Sequence, residues 1–274
     1  MKKSQYLLIS AVFVVVFFYG LSVGVYNIFP YEFLDSSKDV LSEQKTIENN
    51  QFINQVNVDS LIKIDSKSDI DQKRHFLTEF FWDVGSFQRI IDKSPSPEVE
   101  TDISDSNYKD FQNLKRIDRL TVEMEYGINS ISYLFIPEQS NEKLILYHQG
   151  HSGDFLLGKD TIQFFLDRNF TVVAFSMPLL GMNSQPVVEI DGLGEMKLIS
   201  HNQLRLLEAN NFNPMKLFLD PIQINLNFLD NEYNFKQYSM IGLSGGGWTT
   251  VVYSAIDERI SNSFSVGGST PFYL

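Results

Sequence analysis

The sequence contains no cysteine, which excludes disulfides, thiolate metal sites and a cysteine nucleophile. It is also poor in positive charge: 22 Lys and Arg against 34 Asp and Glu leave a net −12. A chain of that sign has little with which to neutralise phosphate, so nucleic acid is not an expected partner. Histidine is scarce, with four in the whole chain and none beyond His201. Internal repeats are absent. What is present in quantity is apolar mass: 43% hydrophobic residues, 23 of them phenylalanine, in 274 residues. That suffices for one domain of ordinary size with extensions.

The N-terminus "MKKSQYLLISAVFVVVFFYGLSVGVYNIF" places Lys2 and Lys3 ahead of an uncharged run from Ser4 to Tyr31. About 20 apolar residues cross the hydrocarbon core of a bilayer. The basic flank precedes the run, and Glu32, Asp35 and Asp39 follow it. The expectation is a single-pass anchor over 1–31, touching the membrane through residues 6–29, with the body outside the cytoplasm. The alternative is a cleaved signal peptide and a secreted body, for which "GLSVGVYN" is a poor cleavage site.

Residues 32–115 read as a polar spacer and helical extension. The stretch 36–73 is rich in Asn, Ser, Asp and Lys and lacks a strong period. Residues 74–91 carry apolar side chains at helical spacing, and 92–110 read as a loop marked by Pro95 and Pro97. From 116 the pattern changes to alternation, with a break at 126–129 that predicts a hairpin. Short, nearly all-apolar runs at 143–150, 170–178, 238–244 and 260–268 suit strands buried on both faces. Helical patterns at 159–169, 211–232 (with Pro221 expected to kink it) and 246–256 separate them. Strands alternating with helices predict an α/β fold with a mainly parallel, doubly wound sheet. The segment 179–210 exceeds an ordinary connection and is a candidate cap. The sequon at Asn169-Phe170-Thr171 opens a buried-type strand and is read as chance.

The chemistry concentrates in "IGLSGGGWTT" (241–250). Gly-x-Ser-x-Gly is informative here because it closes a strand and opens a helix. Such a turn holds Ser244 in a strained conformation, with its hydroxyl above the sheet. Gly242 and Gly245 are small where backbones come close. The following helix offers free N–H groups to a developing oxyanion. A phosphate-cradling turn is the alternative, but the Lys-Ser/Thr ending of a P-loop is missing. Upstream, "LILYHQGHSGDF" ends a strand in a glycine-containing loop that could donate a second oxyanion N–H near His151. His148 and His151, without a third ligand, are a weak metal signal; His148 is read as ending the strand and His151 as lining the pocket. No metal and no cofactor are expected.

These pieces resemble the α/β-hydrolase superfamily, and within it the carbohydrate-esterase and dienelactone-hydrolase-like relatives. The resemblance rests on "RLTVEMEYGINSISYLFIP", "YHQGHSG", "IGLSGGGWTT" and "AIDERISNSFSVGGSTPFYL", in family order over 116–274. It implies Ser244 as nucleophile, oxyanion amides at Gly245 and near His151, and hydrolysis of a small-molecule ester or acyl substrate through an acyl-enzyme. The family order of serine, acid, histidine is not met. After Ser244 the only carboxylates are Asp257 and Glu258, and no histidine follows. Three explanations stand: a chain truncated before its last strands, which is the expectation; an upstream base, His201 or His151; or a non-catalytic, surface-anchored binding or scaffold module. Oligomeric state is not legible.

Overall fold

In the computed structural model, residues 12–20, 60, 63–209 and 211–269 are described. Residues 63–270 make one unit. Its first element is helix α1 (Lys67–Trp82), opened by a capping box in which Ser66 and Asp69 satisfy each other's backbone N–H groups. This cap lies inside the stretch read as spacer, so the helix begins seven residues earlier than the apolar stripe alone suggests. It ends at Asp83, which adopts a left-handed conformation at φ 53°. A separate short helix, α2 (Phe87–Asp92), follows, where one continuous helix was expected.

The strands are β1 (Glu98–Glu100), β2 (Leu114–Glu123), β3 (Asn129–Pro137), β4 (Lys143–His148), β5 (Thr171–Phe175), β6 (Val187–Ile190), β7 (Gly194–Lys197), β8 (Gln237–Leu243) and β9 (Ile260–Val266). Seven of them form a sheet in the order β1-β2-β3-β5-β4-β8-β9, while β6 and β7 pair separately. The pairs β1/β2, β2/β3 and β3/β5 are antiparallel. The pairs β5/β4, β4/β8 and β8/β9 are parallel. The sheet is therefore mixed rather than mainly parallel. The hairpin of β2 and β3 adds two strands to one edge, and β1 lies in a segment whose prolines mark it as loop.

Period-two alternation sorts the core into two layers. Leu144 and Leu146 face one side, packed with Phe81 of α1 and with helices α5 (Asp220–Glu232) and α6 (Gly245–Ile256) through Leu226, Tyr253 and Ile256. Ile145 and Tyr147 face the other, packed with Ile162 and Leu166 of helix α3 (Lys159–Leu166). Leu144 and Leu146 are fully buried, each contributing about 1.5–3 kcal/mol from transfer alone. Pro221 does not kink a long helix. It occupies the first turn of α5, where its missing N–H costs nothing. The segment 179–219 builds a third, smaller core around the β6/β7 hairpin and the short helix α4 (His201–Leu204), with Leu179, Val188, Leu198 and Phe218 buried in it. β9 is the sheet's edge among the described residues, and beyond Ile260 its side chains are exposed.

The membrane anchor is corrected. Among the described residues no helix is long and apolar enough to cross a membrane. Residues 12–20 are helical. The remainder of the apolar run lies outside the described residues. The single-pass topology built on that segment falls with it.

Candidate active site

The parallel register brings three strand ends level: His148 of β4 stands opposite Phe175 of β5 and Gly242 of β8. At that edge β8 gives way to α6 through Ser244 alone. Its backbone is held at φ 54° and ψ −119°, a conformation that L-residues rarely adopt. Two hydrogen bonds fix it: Ser244 N–H donates to the Val266 carbonyl at 2.7 Å, and the Trp248 N–H donates to the Ser244 carbonyl at 3.0 Å. The first N–H groups of α6, from Gly245 onward, have no carbonyl one turn back inside the helix. They form a positive end beside the serine hydroxyl.

The loop after β4 runs against this turn. A Cβ on Gly150 would stand 2.5 Å from the Leu243 oxygen and 2.8 Å from Ser244 Cβ, so the backbone passes the serine too closely for any side chain. Gln149 pins the loop. Its N–H donates to the Phe175 carbonyl at 2.9 Å, its Oε1 accepts from the Tyr147 hydroxyl, and its Nε2 donates to Ser152 Oγ at 3.1 Å. His148 is buried, its ring stacked on Phe175 with centroids 5.9 Å apart and its Nδ1–H donating to the Gln149 carbonyl at 2.9 Å. Burial pulls its pKa down to about 4, partly offset by that bond. It is a neutral core residue, separate from the site. This strand–serine–helix turn, set in a sheet of that strand order, decides the architecture.

The fold is α/β-hydrolase-like. No family model matches the chain, and no curated protein matches it either. Solved structures similar to it include an acetyl xylan esterase from Thermoanaerobacterium sp., at 20% identity and TM-score 0.46, covering 65% of this chain and 55% of that one. An acetyl xylan esterase from Paenibacillus sp. is similar at 13% identity and TM-score 0.49, covering 74% and 60%. An esterase from Pyrococcus furiosus is similar at 14% identity and TM-score 0.43, covering 64% and 58%. The chain thus spans somewhat over half the length of each.

His151 and His201 both reach the turn's neighbourhood. A Cβ on Gly245 would stand 2.4 Å from His151 Cε1 and 2.5 Å from its Nδ1. The imidazole therefore rests directly on Gly245, one residue from the serine. His201 opens α4, and its ring meets that of His151 edge to face at 5.0 Å between centroids. Its Nε2–H donates to the Pro178 carbonyl at 2.7 Å, which leaves Nδ1 of the neutral ring as an acceptor. Burial lowers its pKa, the Pro178 bond works against this, and the charge of His151 lowers it further. The segment 179–210 does fold back to the serine's side of the sheet. Asn183 braces it, donating to the Met177 carbonyl at 2.8 Å and accepting from the Ile131 N–H at 2.7 Å.

Among the described residues no hydrogen bond joins either histidine to the Ser244 hydroxyl. The two carboxylates that follow the serine are engaged elsewhere. Asp257 is buried, accepting from Tyr253 Oη at 2.7 Å and from Arg259 Nη2 at 2.8 Å. Glu258 pairs with Arg74 of α1 at 3.0 Å. No group of three or more His, Cys, Asp or Glu residues among those described could hold a metal ion.

A cavity of about 430 Å³ opens beside Gly245, with His151, His201, Met177 and Trp248 in its wall. Sequence reasoning missed Met177 and Trp248. Trp248 lies four residues after Ser244, one helical turn on and so on the same side of α6, a signal that was there to be used. Met177 carries none, being the last apolar residue of a strand-like run.

Proposed function

We propose that this chain is a serine hydrolase of the carboxylic-ester class, acting on small-molecule esters through Ser244. The observation that carries the reading is the Ser244 backbone, held at φ 54° between strand and helix against the Gly150 loop. Backbone strain of this kind persists where the surroundings impose it, and it clusters at reacting groups. In the proposed reaction the Ser244 Oγ attacks the ester carbonyl carbon. The carbonyl oxygen takes up negative charge, met by the Gly245 N–H and an N–H of the 150–151 loop. An imidazole removes the hydroxyl proton and returns it to the departing alkoxide. Water then hydrolyses the acyl-enzyme, releasing the acid and restoring the serine.

His151 is the better-placed imidazole, because its ring lies on Gly245. His201 stands behind it and orients it, or serves as base in its place. The absence of a histidine bond to Ser244 among the described residues, with Asp257 and Glu258 both committed elsewhere, favours a second reading, a non-catalytic binding module on the hydrolase fold.

Hydrolysis of p-nitrophenyl butyrate by the full chain, with Ser244→Ala, His151→Ala and His201→Ala variants, separates the two. The expected result is turnover lost in Ser244→Ala and reduced at least 100-fold in His151→Ala, in line with the worth of a general base. A fluorophosphonate probe should label Ser244. Absence of both turnover and labelling supports the binding module.

A further inference from the structure

We propose that the cavity beside Ser244 is an acyl pocket for medium-length chains, of about six to ten carbons, and that Phe80 of α1 sets its length. The proposal rests on the esterase reading for its chemistry but on the cavity alone for its shape.

The cavity holds about 430 Å³. One water occupies ~30 Å³ of liquid, and a methyl or methylene group is of comparable size. An acetyl methyl would leave more than nine-tenths of the space empty. A seven-carbon tail would fill roughly half, and a chain of about ten carbons most of what a flexible ligand can use. The wall suits such a tail: Phe80, Met177, Leu204, Phe218 and Trp248 all line it. Met177, Leu204 and Phe218 are buried, so this part of the wall belongs to the packed interior.

Phe80 comes from outside the sheet-and-helix core. It is 55% exposed, whereas its neighbour Phe81 is 5% exposed and belongs to the core. The helix therefore sends one aromatic ring inward and the next toward the cavity. Its placement is fixed: Asn213 Nδ2 donates to the Phe80 carbonyl at 2.7 Å, and the Phe80 ring packs against Phe81 at 5.0 Å and Phe76 at 6.4 Å. A large aromatic left half in solvent is accounted for when an apolar guest covers its other face.

Two measurements on the full chain test this. In the first, sodium acetate, hexanoate, octanoate and decanoate are titrated calorimetrically. Affinity should rise by up to about fourfold per methylene as the chain fills the cavity, and acetate should show no heat. In the second, kcat/KM is measured over p-nitrophenyl acetate, butyrate, octanoate and laurate. The optimum should fall at octanoate. Phe80→Ala should raise the laurate-to-octanoate ratio at least fivefold, and Phe80→Leu should reverse most of that change; thermal melts identify any variant that fails to fold. A flat chain-length profile in both experiments, or an unchanged ratio in a folded Phe80→Ala, overturns the acyl pocket. Octanoate binding without hydrolysis of any ester leaves the pocket standing and removes the esterase reading instead.

Discussion

Replacing Gly150 by alanine perturbs the site at its tightest point while adding only one methyl group. That Cβ would stand 2.5 Å from the Leu243 oxygen and 2.8 Å from Ser244 Cβ, where ~3.5–4.0 Å is the favourable separation for carbon contacts. About 1 Å must be opened, and neither obstacle is a flexible side-chain end. Leu243 O belongs to a sheet strand, and the Ser244 backbone is fixed by its bonds to Val266 and Trp248. The Gly150 loop must yield, against the three bonds of Gln149. Overpacking of this kind costs about 1–3 kcal/mol. For a unit of this size that is a fall of ~2–12 °C in melting temperature, at ~2–4 °C per kcal/mol. A displacement near 1 Å at an oxyanion loop costs on the order of 100-fold in rate. Differential scanning calorimetry and p-nitrophenyl butyrate kinetics on the folded variant measure the two effects separately. Wild-type melting together with wild-type kcat would mean that the loop does not run against the serine, and the proposed oxyanion site would go with it.

Three further outcomes are expected. Asp257→Asn should lower stability by several kcal/mol, since it strips the buried partner from Arg259, yet leave kcat of the folded fraction intact; a folded variant without activity would make Asp257 the catalytic acid. His148 has its pKa depressed to about 4 by burial. Its contribution to stability is therefore complete above the unfolded value of ~6.5 and is lost as pH falls from there toward 4, by on the order of 2–3 kcal/mol; urea unfolding between pH 4 and 8 should show this slope, flattened in His148→Asn. Asp220 has the opposite sign, its carboxyl raised to about 6 by burial despite the bond from Trp82 Nε1. Its protonated form favours the folded state, an advantage lost as pH rises through 6, so Asp220→Asn should melt higher than wild type at pH 7.5.

The strands of the core were the most legible part of the sequence. β4, β5 and β8 are each announced by a short apolar run between turns, because a strand buried on both faces tolerates little else; β9 was expected to be buried likewise, but its side chains beyond Ile260 are exposed. The serine turn was legible for the same reason, its motif lying where a strand pattern meets a helical one. Helix α1 was half read: its amphipathic part shows, but the polar turn that starts it is held by a cap, Ser66 with Asp69, which hydropathy does not register. The mixed sheet was missed because pairing direction depends on which edge a hairpin joins, and alternation carries no such information. The apolar N-terminal run was over-read, since composition reports that a helix could cross a bilayer and not that one does. The cavity wall was least legible of all. Phe80 and Trp248 are 168 positions apart in the numbering and meet only through the fold.

The hydrogen bond from Asn213 to the Phe80 carbonyl and the ion pair of Arg74 with Glu258 tie α1 to two different parts of the body. The C-terminal turn of α1 is held to Asn213, which lines the cavity, and its middle, at Arg74, to Glu258 just past the end of α6. On the proposed reading, part of the cavity wall, Phe80 and Leu204 among it, is thus carried on stretches of chain remote from the serine turn. On that reading, variation at positions 80 or 204 would retune which molecules fit while the turn at 244 stays untouched.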